Sequence, residues 1–189
     1  MSLEEKCFFE KKIAFHTAPA LCGVKCASLI SLDCHEFDIP GNVSLFNLKA
    51  GGSGIYMRAL CECKSRALLL VYNKSLLTKR LGESRVRVLL RSCGYGRDLS
   101  LDKCLDTLAD RIRSGGDFPH EIGVFLGYPI DDVIGFIKNG GENFKLCGCW
   151  KVYSNADKAK KTFKQYDRCR DYLCSKLNKG LDIYQALGI

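Results

Sequence analysis

The spacing of hydrophobic and polar positions changes period several times along this chain, and each change marks an element. The densest run is DFPHEIGVFLGYPIDDVIGFIKNGGENFKLCGCWKVY, residues 117–153. Its first half holds two apolar segments, 119–127 and 129–140, that open on proline and close on glycine. Proline suits a first helical turn and glycine a left-handed exit, so both are expected to be short helices. Then Phe144, Leu146, Gly148, Trp150 and Val152 alternate with Lys145, Cys147, Cys149, Lys151 and Tyr153. That period predicts a half-buried strand over 144–153, one face apolar and the other cationic and thiol-bearing.

Elsewhere the same reasoning gives coarser elements. Residues 3–15 are expected to be helical, with Thr17 and Pro19 capping and starting a second helix toward Leu32 and His16 in the joint. On that helix Cys22 and Cys26 would share one face. From Cys34 to Gly54 the residues Pro40, Gly41, Asn42, Gly51, Gly52 and Gly54 predict mostly loop, around an apolar turn at 43–48. The GGSG there lacks the Lys and Ser/Thr of a phosphate loop and is expected to be a turn into a strand. Ile55–Cys63 alternates and 67–72 is continuously apolar, which predicts a hairpin turned by CKSR with its second strand central.

Residues 74–91 suit one helix with Val86, Leu89 and Leu90 inward, and Ser100 can cap another to about Ser114. Flanking the latter's apolar face, Asp102, Asp106 and Asp110 form a row that neighbouring arginines are expected to face. A last long helix runs from Ser154 to near Gly180, followed by an apolar tail that folds back or touches a second subunit. The expected fold class is α+β: a small three-stranded antiparallel sheet (Ile55–Cys63, 67–72 and 144–153) packed by several helices, the C-terminal one long and basic.

Composition narrows the class. At 189 residues, 47% hydrophobic and 26% charged, the chain suits one domain built of stretches 1–53, 54–153 and 154–189. No stretch approaches the roughly 18 apolar residues of a membrane span, and Glu4, Glu5, Lys6, Lys11 and Lys12 argue against a secretory leader. A cytoplasmic, non-membrane protein is expected. The twelve cysteines are scattered through helices and strands rather than spaced as a disulfide scaffold, and are read as reduced.

PHEIGVFLGYP, the following DDVIGFI and KLCGCWKVYS together resemble the signature of a family of unknown function, small cytosolic proteins of anaerobic bacteria. HTAPALCGVK, from His16 to Lys25, and CECKSRALLLVY extend the resemblance over nearly the whole chain. In that family positions 22, 26 and 149 usually hold Ala, Pro and an aromatic residue; here all three are cysteine. The resemblance implies a setting near flavodoxin and ferrous-iron uptake, hence an acidic protein partner such as a flavodoxin. It implies no particular cofactor.

Three functional readings follow. The first is a small-molecule site. His120 and Glu121 follow Pro119 at a helix start, where free amides favour an anion. Tyr128, Lys145, Trp150 and Lys151 offer a stacking surface and positive charge. His16, Lys25 and His120 join through the family segments. No nucleophile, base and orienter can be assembled, so catalysis stays open. Cys61 and Cys63 lie two apart on one strand and Cys147 and Cys149 on another, so pairing those strands would gather four thiols for a metal. The second reading is docking of an acidic partner on basic faces, among them Asp157 to Lys179, which carries a net +5 of the chain's +8. The third is nucleic-acid binding by a helix-turn-helix-like HEIGVFLGYPIDDVIGFI, with the basic C-terminal helix on the phosphate backbone. Against it, the supposed recognition helix opens on Asp131 and Asp132, which phosphates repel.

Overall fold

The computed structural model describes residues 3–63 and 65–189, apart from the side chains of Leu3 and Cys63. It divides into two compact units, Met1–Leu76 with Tyr166–Ile189, and Leu77–Gln165. The first is a helix-covered antiparallel sheet. It runs α1 (Leu3–Leu21), β1 (Ala27–Asp33), α2 (Ile39–Ala50), a 3-10 turn (Gly51–Ser53), β2 (Ile55–Cys63) and β3 (Arg66–Asn73). The strand order is β1-β3-β2. The continuously apolar strand is indeed central: Ala67, Leu69, Leu70 and Val71 are completely buried. Register runs from Ala27↔Tyr72 to Asp33↔Arg66 on one side, and from Ile55↔Asn73 to Cys63↔Arg66 on the other, with a bulge between Ala59 and Cys61. Of the CKSR turn, Lys64 lies outside the described residues.

Asn47 of α2 closes part of the open edge of β2. The Met57 N–H donates to Asn47 Oδ1 at 2.7 Å, and Asn47 Nδ2 donates to the Met57 carbonyl at 2.8 Å. One amide side chain thus occupies both backbone groups that another strand would use.

The N-terminal expectations change. α1 continues through Thr17 and Pro19 and stops at Leu21, where Gly23 turns left-handed (φ 68) and the Val24 N–H closes on the Pro19 carbonyl at 2.9 Å. Thr17 is a buried interior residue donating to the Ile13 carbonyl at 2.8 Å, so His16 lies within a helix rather than in a joint. Pro19 has no N–H to offer the Phe15 carbonyl; Arg170 Nε donates there instead, at 3.2 Å. Cys22 and Cys26 lie beyond the helix and share no helical face. Residues 27–33 are a strand because Ile30 and Leu32 bury on one face while Ser31 stays in solvent. The expected loop after Cys34 is largely α2: Asp38 accepts the Gly41 N–H at 3.1 Å and proline sits in the first turn, so Pro-Gly-Asn is a helix start here.

The C-terminal tail folds back into this first unit as α9 (Ile183–Leu187). Asp182 and Gln185 form a capping box, Ile183 and Tyr184 are buried, and the Ile183 N–H donates to Glu10 Oε2 at 3.0 Å.

The second unit contains α4 (Ser84–Ser92), α5 (Leu101–Arg113), α6 (Ile122–Phe125), α7 (Ile130–Lys138) and a hairpin of β4 (Leu146–Cys147) and β5 (Lys151–Val152). α3 (Lys74–Leu81) and the long C-terminal helix α8 (Ala156–Asn178) each contribute to both units. The expected single helix over 74–91 is therefore two, parted at Gly82 and Glu83. α5 matches its expectation, with Leu101, Cys104, Leu105 and Leu108 buried. Residues 144–153 are not the third strand of the sheet. They pair with themselves, Leu146↔Val152 and Cys147↔Lys151, and form a separate two-stranded sheet. Alternation alone does not name a strand's partner, and a tight hairpin alternates as well as a long strand does. The α+β class stands, with β1 taking the third place. Among the described residues no helix is long and apolar enough to cross a membrane.

Candidate functional site

Asp132 organises the second unit. It lies in the first turn of α7, is 2% exposed, and accepts three hydrogen bonds: from Trp150 Nε1 at 2.7 Å, from the Tyr153 N–H at 2.8 Å and from the Ser154 N–H at 2.7 Å. Buried carboxylate oxygens need donors in place of water, and here the three come from the hairpin and the residues after it. The hairpin is thereby fastened to α7.

Glycines set how closely its parts approach. A Cβ at Gly148 would land on the Phe163 ring, and one at Gly135 would come within 2.6 Å of Tyr153 Cβ. At Gly123 it would stand 2.9 Å from Val133 and 3.1 Å from Tyr128. With those three positions bare, Tyr128 stacks on Trp150 with centroids 5.0 Å apart and planes 25° from parallel. Phe163 meets Trp150 edge-to-face, with centroids 4.6 Å apart. The Tyr128 hydroxyl donates to the Cys149 carbonyl at 3.2 Å and its backbone carbonyl accepts from Arg80. Burial first, then Cys149, pushes the Tyr128 hydroxyl up to about 12, so it stays protonated at neutral pH.

Against this aromatic wall opens a cavity of about 280 Å³, lined also by Phe118, His120, Val133, Phe136, Cys149 and Lys151. His120 sets its ring edge-to-face on Phe136 at 5.0 Å. Lys151 Nζ donates to the Gly141 carbonyl at 2.7 Å and stands 4.9 Å from the Phe144 ring centroid and 5.9 Å from that of Phe136. The one carboxylate in the lining, Asp132, is committed to its three donors. The cavity is consequently apolar with a cationic side.

Four of the residues expected at a ligand site, His120, Tyr128, Trp150 and Lys151, line this cavity together. Glu121 does not: it is 3% exposed and accepts from Arg111 Nε at 2.6 Å and from the Tyr95 hydroxyl at 3.2 Å, a buried structural network. Lys145 is engaged elsewhere, donating to the Ser154 carbonyl at 2.9 Å. His16 and Lys25 belong to the first unit, where Lys25 Nζ stands over the Tyr166 ring at 5.5 Å. Phe118, Val133 and Phe136 escaped the sequence reading because ordinary core residues look the same. Asp132 escaped it because nothing in a sequence distinguishes a buried acid from the exposed Asp131 beside it.

The thiol cluster loses its scaffold. β2, which carries Cys61, pairs with β3, while Cys147 and Cys149 belong to the separate hairpin; the Cys63 side chain is outside the description. Among the described residues no three His, Cys, Asp or Glu side chains converge as a metal would require. The helix-turn-helix reading also changes. α6 is one turn long, Asp132 is buried, and Asp131 is paired with Arg85 at 2.6 Å.

No curated protein and no solved structure matches this chain. A family described as "protein of unknown function (DUF3793)" matches residues 13–187, a span that includes α1 from Ile13 and every residue of the cavity. The chain belongs to that family.

Proposed function

We propose that this protein binds a small molecule carrying a flat ring and an anionic group, in the cavity walled by Tyr128 and Trp150. The observation that carries the reading is the Tyr128–Trp150 stack, held by the Trp150–Asp132 bond and facing His120, Phe136 and Lys151. Stacked, fixed rings lose little side-chain freedom on contact with a ligand ring, and an amine at the edge favours a carboxylate or phosphate. A volume of about 280 Å³ suits a one- or two-ring molecule. The setting we infer is cytoplasmic, as a ligand-binding or accessory protein of anaerobic redox or iron metabolism with an acidic partner such as a flavodoxin. The free thiols of the eleven cysteines whose side chains are described are in keeping with that.

Trp150 is the only tryptophan in the sequence, so its fluorescence reports this cavity alone. Titration with nicotinate, benzoate and the two-ring quinaldate is expected to give saturable quenching for at least one. Lys151→Gln is expected to weaken that ligand about five- to tenfold, the worth of one partly buried charge contact. Absence of saturable quenching and of calorimetric heat at millimolar concentrations of all three would overturn the reading.

A further inference from the structure

The first unit has a hollow of its own. Phe8, Lys11, Lys12, Phe15 and His16 recur at helical spacing along one side of α1, and Cys174, Leu177 and Asn178 of α8 close a space of about 380 Å³ against them. Two aromatic rings here remain in water, Phe8 at 42% and Phe15 at 50% exposure, although most large apolar side chains of the unit are buried. Cations stand over both. Lys12 Nζ is 5.0 Å from the Phe8 centroid, and the Arg170 guanidinium is 5.2 Å from that of Phe15. Of the nearby acids, Glu10 is buried and faces Lys6 at 3.7 Å, while Asp167 pairs with Arg170 at 2.9 Å and offsets that one cation, leaving Lys11 and Lys12 as the charge of the hollow. Among the described residues no carboxylate pairs with Lys11 or Lys12.

His16 registers this imbalance. Its imidazole is held below the usual range, first by solvent lost against the walls, then by repulsion from Lys12 and Arg170. The titratable and charged groups about it are Lys11 and Lys12 on α1 and, on α8, Cys174, Arg170 with its partner Asp167, and Asp171, which acts on Cys174. The Cys174 thiol, raised mainly by burial, stays protonated through neutral pH. An apolar floor alone would accept any hydrophobe, and lysines alone any polyanion. Their combination in one hollow selects a molecule with both parts.

We propose that this hollow is a second binding site, for a small amphipathic monocarboxylate of the fatty-acid or aryl-acid class. Lys11, Lys12 and His16 hold the carboxylate, while Phe8, Phe15 and Leu177 hold the apolar body. The site stands on residues of the first unit alone and does not rest on the ring-binding reading of the other cavity. Because a carboxylate favours the imidazolium, binding raises the His16 pKa, and affinity rises as pH falls through it.

The test uses the full-length protein and octanoate below its micellar concentration, followed by the His16 imidazole resonances, assigned by their loss in His16→Gln. Expected are saturable shifts, an upward move of the His16 pKa, and binding about fivefold weaker in Lys12→Gln, the upper end for one exposed charge pair. Octanol and inorganic phosphate, each carrying half of the required chemistry, are expected to bind at least about tenfold more weakly than octanoate, a difference of about 1.4 kcal/mol. Lys11→Gln, at an exposed position, is the second variant, and unchanged circular dichroism certifies the fold of both. Octanoate shifts no larger than those from equal chloride, equal binding of phosphate or octanol, or indifference to both lysine variants would overturn the proposal. So would binding confined to phosphatidylglycerol vesicles, which would make the surface a membrane contact.

Discussion

Replacing Asp132 with alanine removes one acceptor from three donors at once. The Trp150 indole N–H, 2.7 Å away, lies on a residue that is 8% exposed and has little access to water, whereas the Tyr153 and Ser154 amides are only partly buried and can recruit it. A bond to a charged acceptor contributes about 1.5–3 kcal/mol net, and a buried donor left unpaired costs about 1–3 kcal/mol. These contributions do not add fully, because the two backbone donors relax together once the hairpin loosens. The expected loss is about 3–5 kcal/mol, the range for cutting a buried charged network. Asp132→Asn retains one oxygen but turns an NH2 toward either the indole or the two amides, so about 2 kcal/mol is expected. Urea unfolding would be followed by Trp150 emission and by far-UV circular dichroism in parallel, since a chain with two compact units need not unfold in one step. Trp150 emission should shift to the red in the variant as the hairpin leaves α7. Asp131→Ala, which removes only an exposed partner of Arg85, serves as the reference and should scarcely move the midpoint. A loss under about 1 kcal/mol for Asp132→Ala, with the wild-type emission maximum, would refute the assignment of Asp132 as the anchor.

Two further predictions follow from local chemistry. Arg170→Gln should destabilise the first unit by about 1 kcal/mol in chemical denaturation, and by clearly less in a Pro19→Ala background, because alanine supplies the N–H that the Phe15 carbonyl lacks; equal effects in both backgrounds would refute the repair role. Thiol titration should divide the cysteines by environment. Cys22, pushed up to about 12 by burial and by neighbouring Cys169, and Cys104, pushed up to about 11 by burial and then by Asp98, should react at pH 8 far more slowly than exposed Cys7 and Cys147. The sign of the linkage follows: a thiol raised in the fold favours the folded chain below the unfolded thiol pKa of about 8.5, and stability falls as pH climbs from there toward the folded values.

Local chemistry was legible wherever one element's own residues decide its form. Pro129 and the apolar spacing after it produce α7, the apolar stripe of 101–108 produces α5 although the Ser100 side chain makes no cap bond, and the unbroken apolar run of β3 announces a strand covered on both faces. The aromatic and cationic residues of 117–153 could likewise be singled out as candidate ligand contacts, and four of them do share a cavity. The family match extends over residues 13–187, which include these elements.

What the sequence alone determined, then, is the set of short-range facts: the α+β class, the hairpin of β2 and β3, the long final helix, and a ring-rich segment with lysines beside it. Propensity, capping and period act over a few residues and can be read there. Only the tertiary structure decided which strand joins the sheet, because β1 and residues 144–153 both alternate and the choice depends on what each buries. It alone made Pro19 an interior helical residue, since the donor that satisfies the Phe15 carbonyl is Arg170, 155 residues further along the chain. Between Asp131 and Asp132 the deciding fact is likewise remote: one faces Arg85 in solvent, while the other finds the hairpin's indole and the two amides just after it, 18 to 22 residues away. Burial and hydrogen bonding across such separations are properties of the folded chain, and no local pattern carries them.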